Sequence, residues 1–297
     1  MTFEERFSLV LTVALGGSLS ALGLQAGARW AVVGGVLVAT VGASLVWRRY
    51  RRRRAILARP FPEAWRAILR RRVWFYERLD EEGRRRFEAN VQRLMAEFVF
   101  EGVAGAQVTD EVRLLALAGG AALLHGLPDV ELKPIRDIVI YPDAFDEDYD
   151  VEGDGPIAGM VHRQGPLIFS AKALRRGWAR DDDGYNVALH EFAHVLDLAD
   201  GYADGVPALV ADPDSWDPIL TDALERVRAR RSRLRPYAAT NRAELFAVAV
   251  EAFFERPRAL RTAHPALYEQ LHRLFRIDPI ELGHDPPARR RPEELHR

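Results

Sequence analysis

The hydrophobic pattern of the chain opens with two long segments that contain no charged residue. Residues 7–24 and 30–47 are each 18 residues long, and only five residues separate them. As α-helices, the two segments would each be about 27 Å long, close to the thickness of the hydrocarbon core of a bilayer. The pattern therefore predicts a transmembrane helical hairpin over residues 1–50.

Two other interpretations of these apolar segments remain open. Both segments could be core helices buried in a soluble domain. Alternatively, the first could belong to a cleaved signal peptide, because Ala26-Gly27-Ala28 resembles a cleavage site. Against a signal peptide, the first six residues carry no net positive charge, and the apolar run is longer than a usual signal core. We therefore favour the membrane hairpin.

The pattern beyond residue 60 is that of a mostly helical domain with a small sheet. Apolar side chains recur at helical spacing in some segments, and β-branched side chains are concentrated in others. Helices are predicted over residues 60–72, 80–99 and 109–124. Strands are predicted over residues 135–141, 157–161 and 166–170, and a hairpin turn is predicted between the last two. The body of the chain is therefore expected to be of the α+β class.

The overall composition excludes several classes of protein. The chain has 297 residues, of which 48% are apolar, and it contains no cysteine. This apolar content is too high for a disordered chain. A disulfide scaffold and a thiolate metal site both need cysteine, so the sequence excludes them as well.

Charge is divided unevenly along the chain. Residues 48–72 contain eleven arginines and a single acid, Glu63, so this stretch carries a net charge of +10. Because the whole chain has a net charge of −1 and residues 1–47 sum to zero, residues 73–297 carry −11. Positive charge next to an apolar span normally stays on the cytoplasmic side and lies on anionic lipid headgroups. A solvated charge run without a lipid role is the alternative.

This charge distribution completes a predicted domain organisation. Residues 1–50 would be the membrane hairpin, 51–72 a basic juxtamembrane collar, 73–283 the main folded domain and 284–297 a polar tail. We expect both termini and the whole domain to face the cytoplasm from the inner membrane. No direct binding to nucleic acid is expected.

The chemistry of the chain is concentrated in one HExxH motif at residues 190–194. His190 and His194 are one helical turn apart, so their imidazoles can bind the same ion. Glu191 follows the first histidine and is placed to act as a general base on a water molecule. A pair of core histidines would not explain the glutamate between them. The motif therefore predicts a metal-dependent hydrolase.

Spacing alone leaves several candidates for the third protein ligand. Asp200 stands where a metzincin has its third histidine, but the glycine and the methionine turn of that class are missing. Glu244 is a better candidate, although Asn241 and Glu244 also form a capping-box pattern. Glu251 and Glu255 remain alternatives. Asp197, one turn beyond His194, suits a carboxylate that orients an imidazole or a solvated acid on the helix face.

Six short stretches, in order, give the chain a resemblance to a known family. They are DIVIYP at 137–142, GMVH at 159–162, GPLI at 165–168, HEFAHVLD at 190–197, YAAT at 237–240 and AELFAV at 243–248. Over residues 60–278 the chain resembles the Mlc titration factor A family of bacterial zinc-dependent peptidases. The catalytic helices of that family are similar to those of anthrax lethal factor. The N-terminal hairpin lies outside the family pattern.

The resemblance implies an α+β, mostly helical zincin-like metallopeptidase domain with a small sheet, preceded here by two transmembrane helices. It implies zinc as the cofactor and peptides or proteins as substrates. The implied zinc ligands are His190, His194 and Glu244, with Glu191 as the base. Tyr237 would match a tyrosine that binds the oxyanion, and His162 a histidine regarded as a further zinc contact.

The family also suggests a different kind of function. Its named member is known for binding a transcriptional repressor, so the body could instead be a protein-binding module held at the membrane. In that case a transcriptional regulator would be the partner. The intact HExxH motif favours the enzyme, because a pure binding module has no use for Glu191.

Overall fold

The computed structural model describes residues 3–26, 28–127, 130, 132, 135–143, 165–210 and 212–283. The chain forms two compact units, Met1–Pro60 and Phe61–Arg297. The predicted strand at 157–161 and His162 lie outside the described residues.

The first unit is a hairpin of two long helices, α1 at Phe3–Gln25 and α2 at Arg29–Leu57. The helices approach closely because glycines face each other where they meet. A Cβ atom on Gly16 would lie 2.5 Å from the carbonyl oxygen of Gly35, too close for any larger residue. The Ser20 hydroxyl is 2.9 Å from the carbonyl oxygen of Gly16 in its own helix and 3.3 Å from that of Val32 in the other.

The outer surface of this hairpin is apolar and exposed. Only 11% of the apolar window of each helix is buried, whereas a core helix would be mostly buried. By length and composition both helices could cross a membrane, and a signal sequence near an N-terminus would have the same properties. The exposure therefore argues against the interpretation as buried core helices.

The second unit is mostly helical, as the sequence predicted. Its helices are α3 at Glu63–Arg72, α4 at Trp74–Arg78, α5 at Glu81–Glu97, α6 at Asp110–Leu123, α7 at Ala171–Ala179, α8 at Val187–Asp197, α9 at Pro213–Arg228, α10 at Arg242–Glu255, α11 at Pro257–Ala263 and α12 at Pro265–Phe275. Polar side chains cap several of the N-termini. Thr109 accepts a hydrogen bond from the backbone N–H of Val112, and Asn241 accepts one from that of Glu244.

Within the described residues, three short parallel strands form the small sheet. They are β1 at Val99–Gly102, β2 at Asp137–Tyr141 and β3 at Leu167–Ser170, in the order β1-β2-β3. Strand β1 was not predicted, because the helical pattern was taken to extend from residue 80 to residue 99. The helix ends at Glu97, and Phe98 already has extended backbone angles. The following Val99-Phe100 pair suits a strand better than a helix.

Helix α8 lies in the core of the second unit and packs against α6 and α10. All eleven residues of α8 are buried. Gly119 of α6 permits this arrangement, because a Cβ atom there would lie 2.3 Å from the carbonyl oxygen of Ala188 in α8. At the next position, a Cβ on Gly120 would lie 2.8 Å from ring atoms of Phe192. The two helices therefore meet backbone to backbone at Gly119.

Alanine at position 119 is expected to destabilise the domain more than alanine at position 120. Both changes add one methyl group, and both improve the intrinsic helix propensity of the residue by a similar amount, about 1 kcal/mol. At 119 the methyl group meets the backbone of α8, which cannot rotate away, and we expect a loss of about 1–3 kcal/mol. At 120 it meets a side-chain ring that can shift. Denaturant unfolding of Gly119→Ala and Gly120→Ala tests this prediction, and equal stabilities would contradict it.

Candidate metal centre

The helix that carries the HExxH motif begins at a well-formed N-cap. The Asn186 side-chain oxygen accepts hydrogen bonds from the backbone N–H groups of Ala188 and Leu189, at 3.1 and 3.3 Å. The cap fixes where α8 starts and therefore which residues face α10. His190, Glu191 and His194 are all buried, with relative exposures of 5–6%.

Three predicted ligands come together between α8 and α10. His190 Nε2 lies 3.1 Å from Glu244 Oε2, and His194 Nε2 lies 3.4 Å from the same oxygen. The two Nε2 atoms are 3.2 Å apart. One donor atom from each residue therefore lies within 4.8 Å of the others, which is a grouping that could hold a metal ion.

The geometry resolves the two functions suggested for Glu244. Asn241 caps α10 through the backbone N–H of Glu244, at 2.9 Å. This hydrogen bond uses the backbone of Glu244 and leaves the side chain available for another contact. Its Oε2 atom faces both histidines. The N-cap formed by Asn241 and the candidate ligand role of the Glu244 side chain are therefore compatible.

Three other acidic residues considered from the sequence make different contacts. Asp200 is exposed at the end of the 3-10 turn Leu198–Asp200, where it accepts a hydrogen bond from the backbone N–H of Tyr202 at 2.9 Å. Glu255 is buried one turn beyond Glu251 and contacts the Asn186 side chain at 3.1 Å. Asp197 accepts a hydrogen bond from the backbone N–H of Gly205 at 3.0 Å.

Glu251 contacts the imidazole of His190. The sequence had suggested this kind of contact for Asp197. The Oε2 atom of Glu251 is 3.2 Å from His190 Nδ1, on the side of the ring that faces away from Glu244. Its Oε1 atom accepts a hydrogen bond from the backbone N–H of Asn186 at 2.8 Å. Arg235 forms an ion pair with Glu251 Oε2. Neither Asn186 nor Arg235 was identified from the sequence, which gives no local signal for contacts of this kind.

The electrostatics of the site favour positive charge at His190. Burial alone lowers the pKa of an imidazole, but the charge of Glu251 and hydrogen bonds to Glu244 and Glu251 raise the pKa of His190 to about 10. Burial also opposes ionisation of Glu244, yet hydrogen bonds from His190 and His194 hold its pKa below the usual range. Two imidazole nitrogens and a carboxylate in this environment fit a divalent transition-metal ion.

Glu191 and Tyr237 complete the set of predicted site residues that the structure describes. Burial, followed by the charges of Glu244 and Glu251, raises the pKa of Glu191, although both histidines oppose this shift. Tyr237 lies on the 3-10 turn Pro236–Ala239, and its ring centroid is 5.9 Å from that of His190. Burial and then Glu244, through its charge and a hydrogen bond, raise the pKa of the Tyr237 hydroxyl.

Comparison with known proteins connects this site to a protein family. The model of the family described as glucose-regulated metallo-peptidase M90 matches residues 47–276, a range that includes the HExxH helix and Glu244. An uncharacterized protein of Synechocystis sp. is 34% identical over 245 residues, which cover 77% of this chain and 89% of that protein.

Two further relatives have descriptive names. Mlc titration factor A of Yersinia pestis is 30% identical over 208 residues, which cover 59% of this chain and 74% of that protein. The protein of the same name from Yersinia pseudotuberculosis has the same identity and coverage. These matches confirm the resemblance found in the sequence. The chain belongs to the glucose-regulated metallo-peptidase M90 family.

Proposed function

We propose that this chain is a membrane-anchored, zinc-dependent peptidase. The observation that carries the proposal is the buried cluster of His190, His194 and Glu244, together with a glutamate directly after the first histidine. Zinc is the proposed ion because catalytic zinc sites use three nitrogen or oxygen ligands of this kind and keep one position for water. When held by these residues, zinc would lower the pKa of a water molecule and polarise the scissile carbonyl group.

Glu191 is the proposed general base. A buried glutamate whose pKa is raised is a better proton acceptor than a solvated one, because its basicity is closer to what catalysis at neutral pH requires. In this proposal Glu191 removes a proton from the attacking water and then donates it to the leaving amine. The peptide bond is hydrolysed, and the products are a carboxylate and a free amine.

Tyr237 is the proposed donor to the developing oxyanion. Its raised pKa keeps the hydroxyl protonated at neutral pH, so it remains a hydrogen-bond donor. Its ring lies beside His190, and a donor there would act where negative charge develops on the substrate carbonyl. His162 is proposed only from the resemblance, as a further zinc contact.

The proposed location is the cytoplasmic face of the inner membrane. The apolar, exposed helices of the first unit support a membrane anchor. The arginines at residues 48–54 directly follow the second apolar segment, and such charge normally remains on the cytoplasmic side. The arginine-rich stretch would then lie on anionic headgroups.

Replacement of Glu191 by glutamine tests the proposed base. Peptide hydrolysis by Glu191→Gln is expected to fall by about 10²–10⁴-fold, because the amide cannot accept the proton. The zinc content should remain that of the wild type, since Glu191 is not a proposed ligand. Cleavage of a peptide library, measured beside metal analysis, checks both points. Hydrolysis at the wild-type rate with zinc bound would show that Glu191 is not the base.

The third ligand is tested by comparing two acid-to-amide changes. Glu244→Gln should reduce zinc affinity by at least about 100-fold, because it removes a charged ligand while the backbone cap from Asn241 remains. Asp200→Asn is the matched control, since Asp200 is exposed and bonds within its own turn. Zinc affinity is measured by competition with a chelator. Unchanged affinity in Glu244→Gln would exclude Glu244 as a ligand.

A second candidate function comes from the names of the Yersinia relatives, which describe titration of Mlc. On that basis, the domain would bind a transcriptional regulator and retain it at the membrane. Glu191→Gln also separates these functions, because the variant should still capture such a partner if binding needs no hydrolysis. Capture of a regulator by wild type and variant alike, with no peptide cleaved by the wild type, would favour the binding module.

A further inference from the structure

The residues behind the metal centre form a second layer that the proposed chemistry does not use, buried at Glu251 and Asn186 and partly exposed at Arg235 and Tyr185. Glu251 lies at its centre, with no exposed side-chain surface. Both of its oxygens are engaged, and the three groups that they contact come from two segments of the chain. Asn186 and His190 belong to α8 and its N-cap, and Arg235 precedes the 3-10 turn Pro236–Ala239. A carboxylate with this arrangement fixes both segments relative to α10.

The first of the three contacts concerns the tautomer of His190. The Glu251 carboxylate, paired with Arg235, offers only acceptor oxygens, so His190 Nδ1 carries the proton at their 3.2 Å contact. The lone pair of the ring is then on Nε2, the atom that faces Glu244 and His194. Glu251 therefore selects the tautomer that can bind a metal ion through Nε2.

The second contact concerns the start of helix α8. The backbone N–H of Asn186, the N-cap residue, donates to Glu251 Oε1 at 2.8 Å. The same carboxylate thus holds one imidazole and the first residue of the helix that carries it. Rotation or sliding of α8 relative to α10 would break both hydrogen bonds together.

The third contact concerns the segment that carries Tyr237. Arg235 pairs with Glu251 Oε2, and it lies two residues before Tyr237, at the N-cap of the 3-10 turn. The guanidinium also lies 4.6 Å from the ring centroid of Tyr185, the residue before Asn186. Arg235 is therefore held between the segment that leads into α8 and the carboxylate of α10.

From these contacts we infer that Glu251 and Arg235 form a positioning clamp, which fixes the His190 ring and the Tyr237 segment relative to each other. The inference deepens the proposed function and rests on it, but its first consequence is for metal affinity. Residues that orient a metal-binding histidine typically contribute 10–100-fold to affinity. Neither member of the clamp is one of the proposed zinc ligands His190, His194 and Glu244.

Glutamine at position 251 tests the clamp, because it has one acceptor oxygen and one donor amide. It cannot accept from His190 and Arg235 at one end and from Asn186 at the other. Affinity of the full-length chain in detergent for Zn²⁺ is expected to fall by 10–100-fold in Glu251→Gln. The visible absorption spectrum of the Co²⁺-substituted protein should also shift, since the ligand ring is no longer held in one orientation.

Glu255→Gln is the matched control. Glu255 is equally buried, lies one turn further along α10 and contacts the same Asn186, but its contact is with the side-chain amide. The control should keep wild-type Zn²⁺ affinity and the wild-type Co²⁺ spectrum. Wild-type values in Glu251→Gln, or equal losses in both variants, would overturn the clamp.

A measurement on the wild-type protein covers the case in which Glu251→Gln does not fold. Nitrogen-15 spectra of labelled histidine should show the Zn²⁺-bound His190 protonated at Nδ1, and assignment of its signal can use His190→Gln. Coordination through Nδ1 would overturn the clamp. Failure of the wild type to bind Zn²⁺ at all is a different result, because it would refute the proposed function itself.

Discussion

Buried negative charge is the constraint on which the second unit depends. Glu191 and Asp197 on α8, and Glu244, Glu251 and Glu255 on α10, are each less than a tenth exposed. Transfer of a carboxylate from water to a buried site costs much free energy unless the group is paired, hydrogen-bonded or protonated. The structure uses all of these solutions, and their distribution determines where a cation would be stabilised.

The carboxyl groups divide into those that lie against imidazole or guanidinium groups and those whose burial favours the neutral form. Glu244 lies against two imidazoles, and Glu251 is paired with Arg235 and hydrogen-bonded to Asn186. By contrast, burial and then the charge of Glu251 raise the pKa of Glu255 well above its ordinary value. Burial raises the pKa of Asp197 to about 7, although a backbone hydrogen bond from Gly205 opposes the shift. Negative charge is therefore concentrated around the histidines.

The sequence predicted the local parts of this arrangement better than the tertiary ones. His190 and His194 could be placed on one face because their spacing is a property of a single helix. For Glu244, the spacing could not distinguish a metal ligand from a capping residue, because both functions fit it. Only the packing of α10 on α8 directs the Glu244 side chain to the histidines. Arg235 could not be found at all, because its contact with Glu251 depends on how a loop packs. Strand β1 was missed for a similar reason, as its pairing with β2 is non-local.

Helix α2 continues without interruption from Arg29 to Leu57, so Arg51–Arg54 belong to the same helix as the apolar segment before them. Successive helical residues are rotated by about 100°, so these four positions are distributed around the helix axis and do not form a one-sided strip. If this helix spans a bilayer, moving it further into the membrane would carry guanidinium groups towards hydrocarbon, at a cost of about 2.5–3.5 kcal/mol for each one that reaches the centre. In that case the arginines would set how deeply the helix is immersed.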